Sequence, residues 1–215
     1  MRVKFCGITR IEDAREAARL GAWAIGLNHW ERSPRRCDPQ VATEISAELR
    51  RSVQVVGVFV NATLDELARH AEDEQLAMLQ LHGDEGPDFC REAARRTGCK
   101  VIKALRVHST ADVQAAETYR TDFHLLDAHR PGAPGGTGES FDWEIAAARR
   151  SAVPFILAGG LSPDNVATAI ELAQPYAVDV ASGVESDPGI KDHVLMTAFM
   201  ERAQAVAAER PAVPR

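Results

Sequence analysis

Several things are scarce in this chain of 215 residues, and each shortage removes a class of function. Positive charge is not in excess. The formal net charge is -6 and the pI is near 5.7, whereas proteins that grip a nucleic-acid backbone usually carry a basic surplus. No nucleic-acid partner is expected, and any anion bound here is bound locally. Long apolar runs are missing as well, none approaching the ~18 residues of a membrane span, so no membrane partner is expected. Cys6, Cys37, Cys90 and Cys99 form no Cys-x-x-Cys pair and have no histidine at ligand spacing. Neither a zinc site nor a disulfide framework is expected, and reduced thiols in a cytoplasmic protein fit better. The amino terminus enters a strand almost at once, which also speaks against an export signal. Lysine is confined to Lys4, Lys100, Lys103 and Lys191. The segment Arg130-Pro131-Gly132-Ala133-Pro134-Gly135-Gly136-Thr137-Gly138 is rich in Gly and Pro, yet no Gly-Lys-Ser/Thr follows, and no Gly-x-Gly-x-x-Gly opens a helix. It suits a mobile cover over a ligand.

What is present is an alternation. A 45% hydrophobic content over this length suffices for the core of one domain. Short apolar runs read as strands at Val3 to Cys6, Ala24 to Leu27, Gln54 to Val60, Ala77 to Leu81, Val101 to Leu105, Phe123 to Leu126, Phe155 to Ala158 and Ala177 to Ala181. Helical patterns lie between them: Ile11 to Leu20 with Thr9 placed to cap it, Val41 to Leu49, a capping box at Thr63-Leu64-Asp65-Glu66, Pro87 to Arg96, a start near Thr110, Trp143 to Arg150, a start at Ser162-Pro163-Asp164, and Ile190 to Ala207. Eight strand-helix pairs with short connections predict an α/β fold, a closed parallel (β/α)8 TIM barrel over residues 1–208, with 209–215 a flexible tail.

In that fold the carboxyl ends of the strands converge on one mouth. Cys6, Arg35, His82, Asp127, Gly159-Gly160 and Ser182-Gly183 should therefore surround a single pocket. Cys6 closes the first strand, and Asp127 follows the sixth. Arg35 sits in a polar, Pro-broken loop with two further arginines. His82 can be an acid or a base, although a strand-end histidine that only hydrogen-bonds its neighbours is the simpler role. The two glycine pairs stand after strands seven and eight, where such barrels bind phosphate on backbone N–H groups and a helix start.

Nine blocks in order carry a resemblance: Lys4-Phe5-Cys6-Gly7-Ile8-Thr9, Ser33-Pro34-Arg35, Val56-Gly57-Val58-Phe59-Val60-Asn61, Gln80-Leu81-His82-Gly83-Asp84, Leu125-Leu126-Asp127, Pro134-Gly135-Gly136-Thr137-Gly138, Phe141-Asp142-Trp143, Ala158-Gly159-Gly160-Leu161 and Ser182-Gly183-Val184-Glu185. Through them nearly the whole chain resembles the phosphoribosylanthranilate isomerase family of tryptophan biosynthesis. The resemblance implies an Amadori rearrangement of a phosphorylated aminosugar with no cofactor and no metal. It further implies Cys6 as general base, Asp127 as general acid and Arg35 as the partner of the anthranilate carboxylate. For that chemistry Asp127 must be held protonated and Cys6 favoured as thiolate, with backbone dipoles and Arg35 as the groups expected to lower the thiol pKa. Asn28-His29 and Ala181 depart from the family, which usually has aromatic or aliphatic residues at the first position and serine at the second.

Three rivals stand beside this reading. A related phosphosugar barrel, such as indole-glycerol-phosphate synthase or a ribulose-phosphate epimerase, would want a lysine or a metal-bound carboxylate pair, and Lys103 on strand five is the residue to watch. A non-catalytic barrel that senses a phosphorylated metabolite would not need both Cys6 and Asp127. A nucleophilic thiol enzyme would form a transient covalent adduct.

Overall fold

Short runs rich in Val, Ile and Leu, too short for helices, pair side by side as eight parallel strands. They are β1 Arg2–Cys6, β2 Ala24–Asn28, β3 Gln54–Phe59, β4 Met78–Leu81, β5 Lys100–Arg106, β6 Phe123–Asp127, β7 Phe155–Ala158 and β8 Ala177–Val180. Each pairs with the next in sequence, and β8 pairs back onto β1, so the sheet closes into a barrel with no free edge. The structure is a computed structural model that describes residues 1–127, 143 and 151–208. Among these the helices are α1 Ile11–Arg19, α2 Pro39–Leu49, α3 Leu64–Asp73, α4 Pro87–Thr97, α5 Thr110–Ala115, α6 Val166–Ala173 and α7 His193–Ala208. The Gly/Pro-rich segment 130–138, the tail 209–215 and the helix expected at Trp143 to Arg150 lie outside the described residues, except for Trp143, which is helical and buried. Among the described residues no helix is long and apolar enough to cross a membrane.

Local chemistry explains most element ends. Thr63 and Glu66 form the expected capping box of α3. Asp38 accepts from Gln40 N and Pro39 takes the first turn, so α2 starts two residues before the apolar pattern does. Gly98 ends α4 in the left-handed conformation. Three expectations need correction. Thr9 does not cap α1; its hydroxyl donates to the Gly189 carbonyl and ties the β1 loop to the far end of the chain. The helix after β7 begins at Val166, because Ser162 and Asn165 first close a turn through Ser162 N to Asn165 Oδ1. The closing helix begins at His193, because Ile190–Lys191 (β10) folds back antiparallel on Glu185–Asp187 (β9) through a turn at Gly189.

Alternation along the strands decides which side chains enter the barrel. Ala24, Val56, Met78, Ile102, Leu125, Ile156 and Ala177 belong to one buried interior cluster. Phe5, Leu27, Leu79, Leu126 and Val178, one residue out of step, pack outward against the helices. Counting two residues on from the interior set reaches Val58, Gln80, Asp127, Ala158 and Asp179, and four on from Ala24 reaches Asn28; all of these line one cavity at the barrel mouth.

Lys103 is out of step with that set. Its ammonium donates to Gly83 O at 2.7 Å and pairs with Glu85 Oε2 at 2.7 Å, both side chains about 3% exposed, while Glu85 also accepts from the Asn61 and Gly83 amides. It is absent from the lining of the mouth cavity and serves as a strut between β5 and the turn after β4. Removing one partner of a buried pair leaves an uncompensated charge, at a cost of about 3–5 kcal/mol. Lys103→Met is therefore expected to lose about 3 kcal/mol or more of unfolding free energy in urea titration. A loss below about 0.5 kcal/mol, the scale of a surface change, contradicts the strut assignment.

Candidate active site

The site is built on the end of β1. Cys6 is the last inward residue of that strand, and the chain turns away at Gly7 with φ +73°, a conformation that L side chains rarely adopt. A Cβ at Gly7 would also stand 2.6 Å from Arg35 Cδ, so the missing side chain lets the Arg35 stem lie across the turn. Gly26, the register partner of Cys6 on β2, makes room of another kind. A Cβ there would come within 2.9 Å of Cys6 Sγ and 3.0 Å of Lys4 Nζ, which share the space above it.

Beneath Cys6 lies a buried ion pair. Lys4 is fully buried, and its Nζ meets Asp179 Oδ1 at 2.8 Å. Burial works against the charge on Lys4, but Asp179 and Cys6 outweigh it and leave its pKa above the ordinary lysine value. Burial also pushes the Cys6 thiol up; Lys4, and more weakly Lys191, oppose that rise while Asp179 adds to it. The outcome is a raised thiol pKa. This corrects the expectation of a lowered one: the main cations that favour the thiolate are Lys4 and Lys191, with Arg35 also felt across the turn, and they limit the effect of burial without reversing it.

Arg35 hangs over the mouth from a loop that returns to its own strand. Cys37 N donates to Asn28 O at 2.8 Å, and the Ser33 hydroxyl accepts from both Asn28 Nδ2 and Arg35 N at 3.1 Å. The guanidinium holds Glu185 through Nε at 2.9 Å and Nη2 at 2.7 Å, leaving Nη1 outside that pair. These bonds keep Arg35 above its ordinary pKa, and together with Lys191 they hold the Glu185 carboxyl below the usual range although burial opposes it. Lys191 stitches the arrangement together, donating to Cys6 O at 2.6 Å, Ala181 O at 3.1 Å and Glu185 Oε1 at 2.8 Å.

Across the mouth, Asp127 ends β6 with His82 Nε2 3.4 Å from its Oδ2. Gln80 Nε2 lies 3.2 Å from His82 Nδ1 on the other side of the ring. Gly159 and Gly160, both at positive φ, bring the chain around after β7, and Ser182 follows β8 in a short 3-10 turn.

Of the residues singled out from sequence, Cys6, Arg35, His82, Asp127, Gly159, Gly160 and Ser182 line one cavity of about 370 Å³. Gly183 does not. A Cβ at Gly183 would overlap the Leu161 carbonyl oxygen, so its role is to let the turns after β7 and β8 pack together. The expected helix start at the glycine pairs is replaced by these two turns. Sequence reasoning gave no role to Lys4, Gln80, Asp179, Glu185 or Lys191. For Asp179 and Lys4 a signal was available, since each is a charge at an inward position of an otherwise apolar strand. A thiol and a carboxyl on non-neighbouring strands leave space for a small ligand between them, an arrangement suited to moving protons at two of its atoms.

The comparisons agree with this geometry. The family model described as N-(5'phosphoribosyl)anthranilate (PRA) isomerase matches residues 3–202. An N-(5'-phosphoribosyl)anthranilate isomerase of Geobacter metallireducens is 48% identical over 205 residues, covering 95% of this chain and 100% of the relative. The crystal structure of phosphoribosyl anthranilate isomerase from Thermotoga maritima superposes with a TM-score of 0.86 at 40% identity, covering 95% of this chain and 99% of its own. Another solved phosphoribosyl anthranilate isomerase, in complex with reduced 1-(o-carboxyphenylamino)-1-deoxyribulose 5-phosphate, gives 0.82 at 38% identity over 95% and 99% of the two chains. Matched along nearly its full length in sequence and in fold, the chain belongs to the N-(5'-phosphoribosyl)anthranilate isomerase family.

Proposed function

We propose that this chain carries out the isomerisation for which its family is named, a step of tryptophan biosynthesis, with Cys6 as general base and Asp127 as general acid. The substrate, N-(5'-phosphoribosyl)anthranilate, is an aminoaldose, and the product is the corresponding aminoketose. No net redox change occurs, so one acid and one base suffice. Asp127 gives its proton to the ribose ring oxygen; the bond from that oxygen to C1 breaks as the nitrogen lone pair forms a protonated Schiff base. The Cys6 thiolate then takes the C2 proton, the C–H electron pair becomes a C1=C2 double bond, and the C=N electrons return to nitrogen. The resulting enolamine tautomerises to the ketone. The observation that supports this reading is that Cys6 and Asp127, at the ends of the non-adjacent strands β1 and β6, line the same cavity.

The remaining groups take supporting roles. His82 orients Asp127 through their contact at 3.4 Å. A thiol raised by burial is scarce as thiolate but strong as a base once formed, and Lys4 keeps the ionised form within reach. Arg35, clamped by Glu185, offers its Nη1 side to the anthranilate carboxylate, while the turns at Gly159, Gly160 and Ser182 receive the phosphate, with Gly183 packed behind them. The relative solved with the reduced aminoketose phosphate supports a phosphorylated aminosugar as the ligand. Residues 1–208 form the catalytic domain in this reading, and the chain works in the cytoplasm.

The direct test generates phosphoribosylanthranilate in situ and follows the loss of its anthranilate fluorescence. Purified chain is expected to exceed the spontaneous rate, and no excess would overturn the assignment. With activity in hand, Asp127→Asn is expected to lower kcat by at least about 10²-fold, the lower end of general acid catalysis, with KM little changed. Cys6→Ser should fall as far while melting near the wild-type temperature. Full kcat in Asp127→Asn makes His82 the better acid, and a sharply lower melting point with intact kcat in Cys6→Ser makes the thiol structural.

A further inference from the structure

On β2 the alternation that turns Asn28 into the barrel turns His29 outward, towards α3. Its ring stacks on Phe59 with centroids 4.9 Å apart and lies 4.3 Å from the ring of His70. His70 and Glu74 stand one turn apart at the end of α3, with His70 Nδ1 2.7 Å from Glu74 Oε1. The side chains of His29 and Glu74 are only 4% and 3% exposed, and His29 Nε2 faces Glu74 Oε2 at 3.1 Å. The two atoms stand at ion-pair distance, but the approach lacks the alignment of a hydrogen bond and neither atom has another hydrogen-bond partner. A barrel-helix interface normally holds apolar side chains, and buried polar atoms normally find hydrogen-bond partners, so a buried His–Glu contact without a hydrogen bond, with a second histidine on the same carboxylate, leaves donor atoms available to an occupant.

We propose that His29, His70 and Glu74 form a site for a divalent transition cation, with zinc the metal that best suits the ligands, separate from the catalytic cavity. The three ligand atoms lie within 4.8 Å of one another. Tetrahedral zinc with bonds of about 2.0–2.2 Å sets its ligands about 3.4 Å apart, so small side-chain shifts close the site. Two imidazoles and one carboxylate are the donors that zinc takes, and they offer too few oxygens for calcium or magnesium. A fourth position opens on a second cavity of about 520 Å³ whose wall includes Arg32, Arg36 and Arg69, where a water or a small anion would complete the shell. The stacking of His29 on Phe59 holds one ligand ring in place. A cation here would clamp the end of β2, where the Arg35 loop begins, to α3. His70 and Glu74 stand at helical i,i+4 spacing, but His29 lies far from them in sequence and no full ligand motif joins the three, which is why the sequence alone predicted no metal.

The test is titration of the full chain, without a histidine tag and stripped with a chelator, by Co2+. One equivalent should produce the intense visible bands of tetrahedral cobalt, without a sulfur-to-cobalt charge-transfer band, and Zn2+ should displace it. Losing even an outer-shell partner of a metal site costs about 10–100-fold in affinity, so Glu74→Gln and His29→Phe are each expected to weaken binding by at least ~100-fold while circular dichroism stays native. The proposal is overturned if no stoichiometric spectrum appears, if sulfur is a ligand, or if folded variants bind as wild type does. Should the variants fail to fold, X-ray absorption of the zinc-loaded wild type decides: a shell of two imidazoles and oxygen supports the site, and any other shell overturns it.

Discussion

The Lys4–Asp179 pair is the constraint on which the rest of this structure turns. The two residues are register partners across the β1–β8 seam, where the barrel closes, and their charges meet at 2.8 Å in its interior. A buried ion pair is weak evidence for stability, because desolvating both charges can cost more than their attraction returns. Its position suggests what it does. The ammonium lies under the Cys6 sulfur, in space kept open by Gly26, so the seam that closes the fold also supplies a positive charge that favours the Cys6 thiolate. Asp179 sets the balance: it keeps Lys4 charged, and its own charge keeps the thiol from ionising freely.

A second lysine works on the outside of the same seam. Lys191 bonds carbonyls at the ends of both β1 and β8 and passes its charge to Glu185, which in turn fixes Arg35. The β9–β10 ribbon positions it: Lys191 ends β10, and from there its ammonium reaches the Cys6 and Ala181 carbonyls and Glu185. Cys6 thus lies between two runs of charge, Lys191–Glu185–Arg35 above and Lys4–Asp179 below. Coupling of this kind makes separate substitutions along either run non-additive.

Much of this was legible in the sequence because the barrel repeats one rule. Strand, turn and helix alternate at short spacing, so Cys6, His82 and Asp127 could be placed at strand ends by counting, and Thr63-Glu66 announced its capping box. Misses fell where tertiary contacts override local pattern. Ile190-Lys191 reads as the start of a helix and becomes a strand because Glu185–Asp187 is there to pair with it. Gly183 carries a packing demand that counting along the chain does not show, since only a bare position lets the turns after β7 and β8 meet at Leu161. The sign of the Cys6 shift was out of reach, since it depends on how burial compares with two lysines, one two residues away and the other near the end of the chain.

Central to the proposed function is that Cys6 is a half-buried thiol whose charge is governed by Lys4. Its most direct test is the pH dependence of Cys6 alkylation by iodoacetamide, read by mass spectrometry of the Cys6 peptide in native wild type, in native Lys4→Met and in the urea-unfolded chain. Burial pushes Cys37 up to about 12 and Cys90 to about 11, so neither competes near neutral pH. The native midpoint should lie above the unfolded one, because the folded pKa is raised, and Lys4→Met should move it further up by removing the nearest cation. A native midpoint at or below the unfolded value, or one that Lys4→Met leaves in place, would contradict the account.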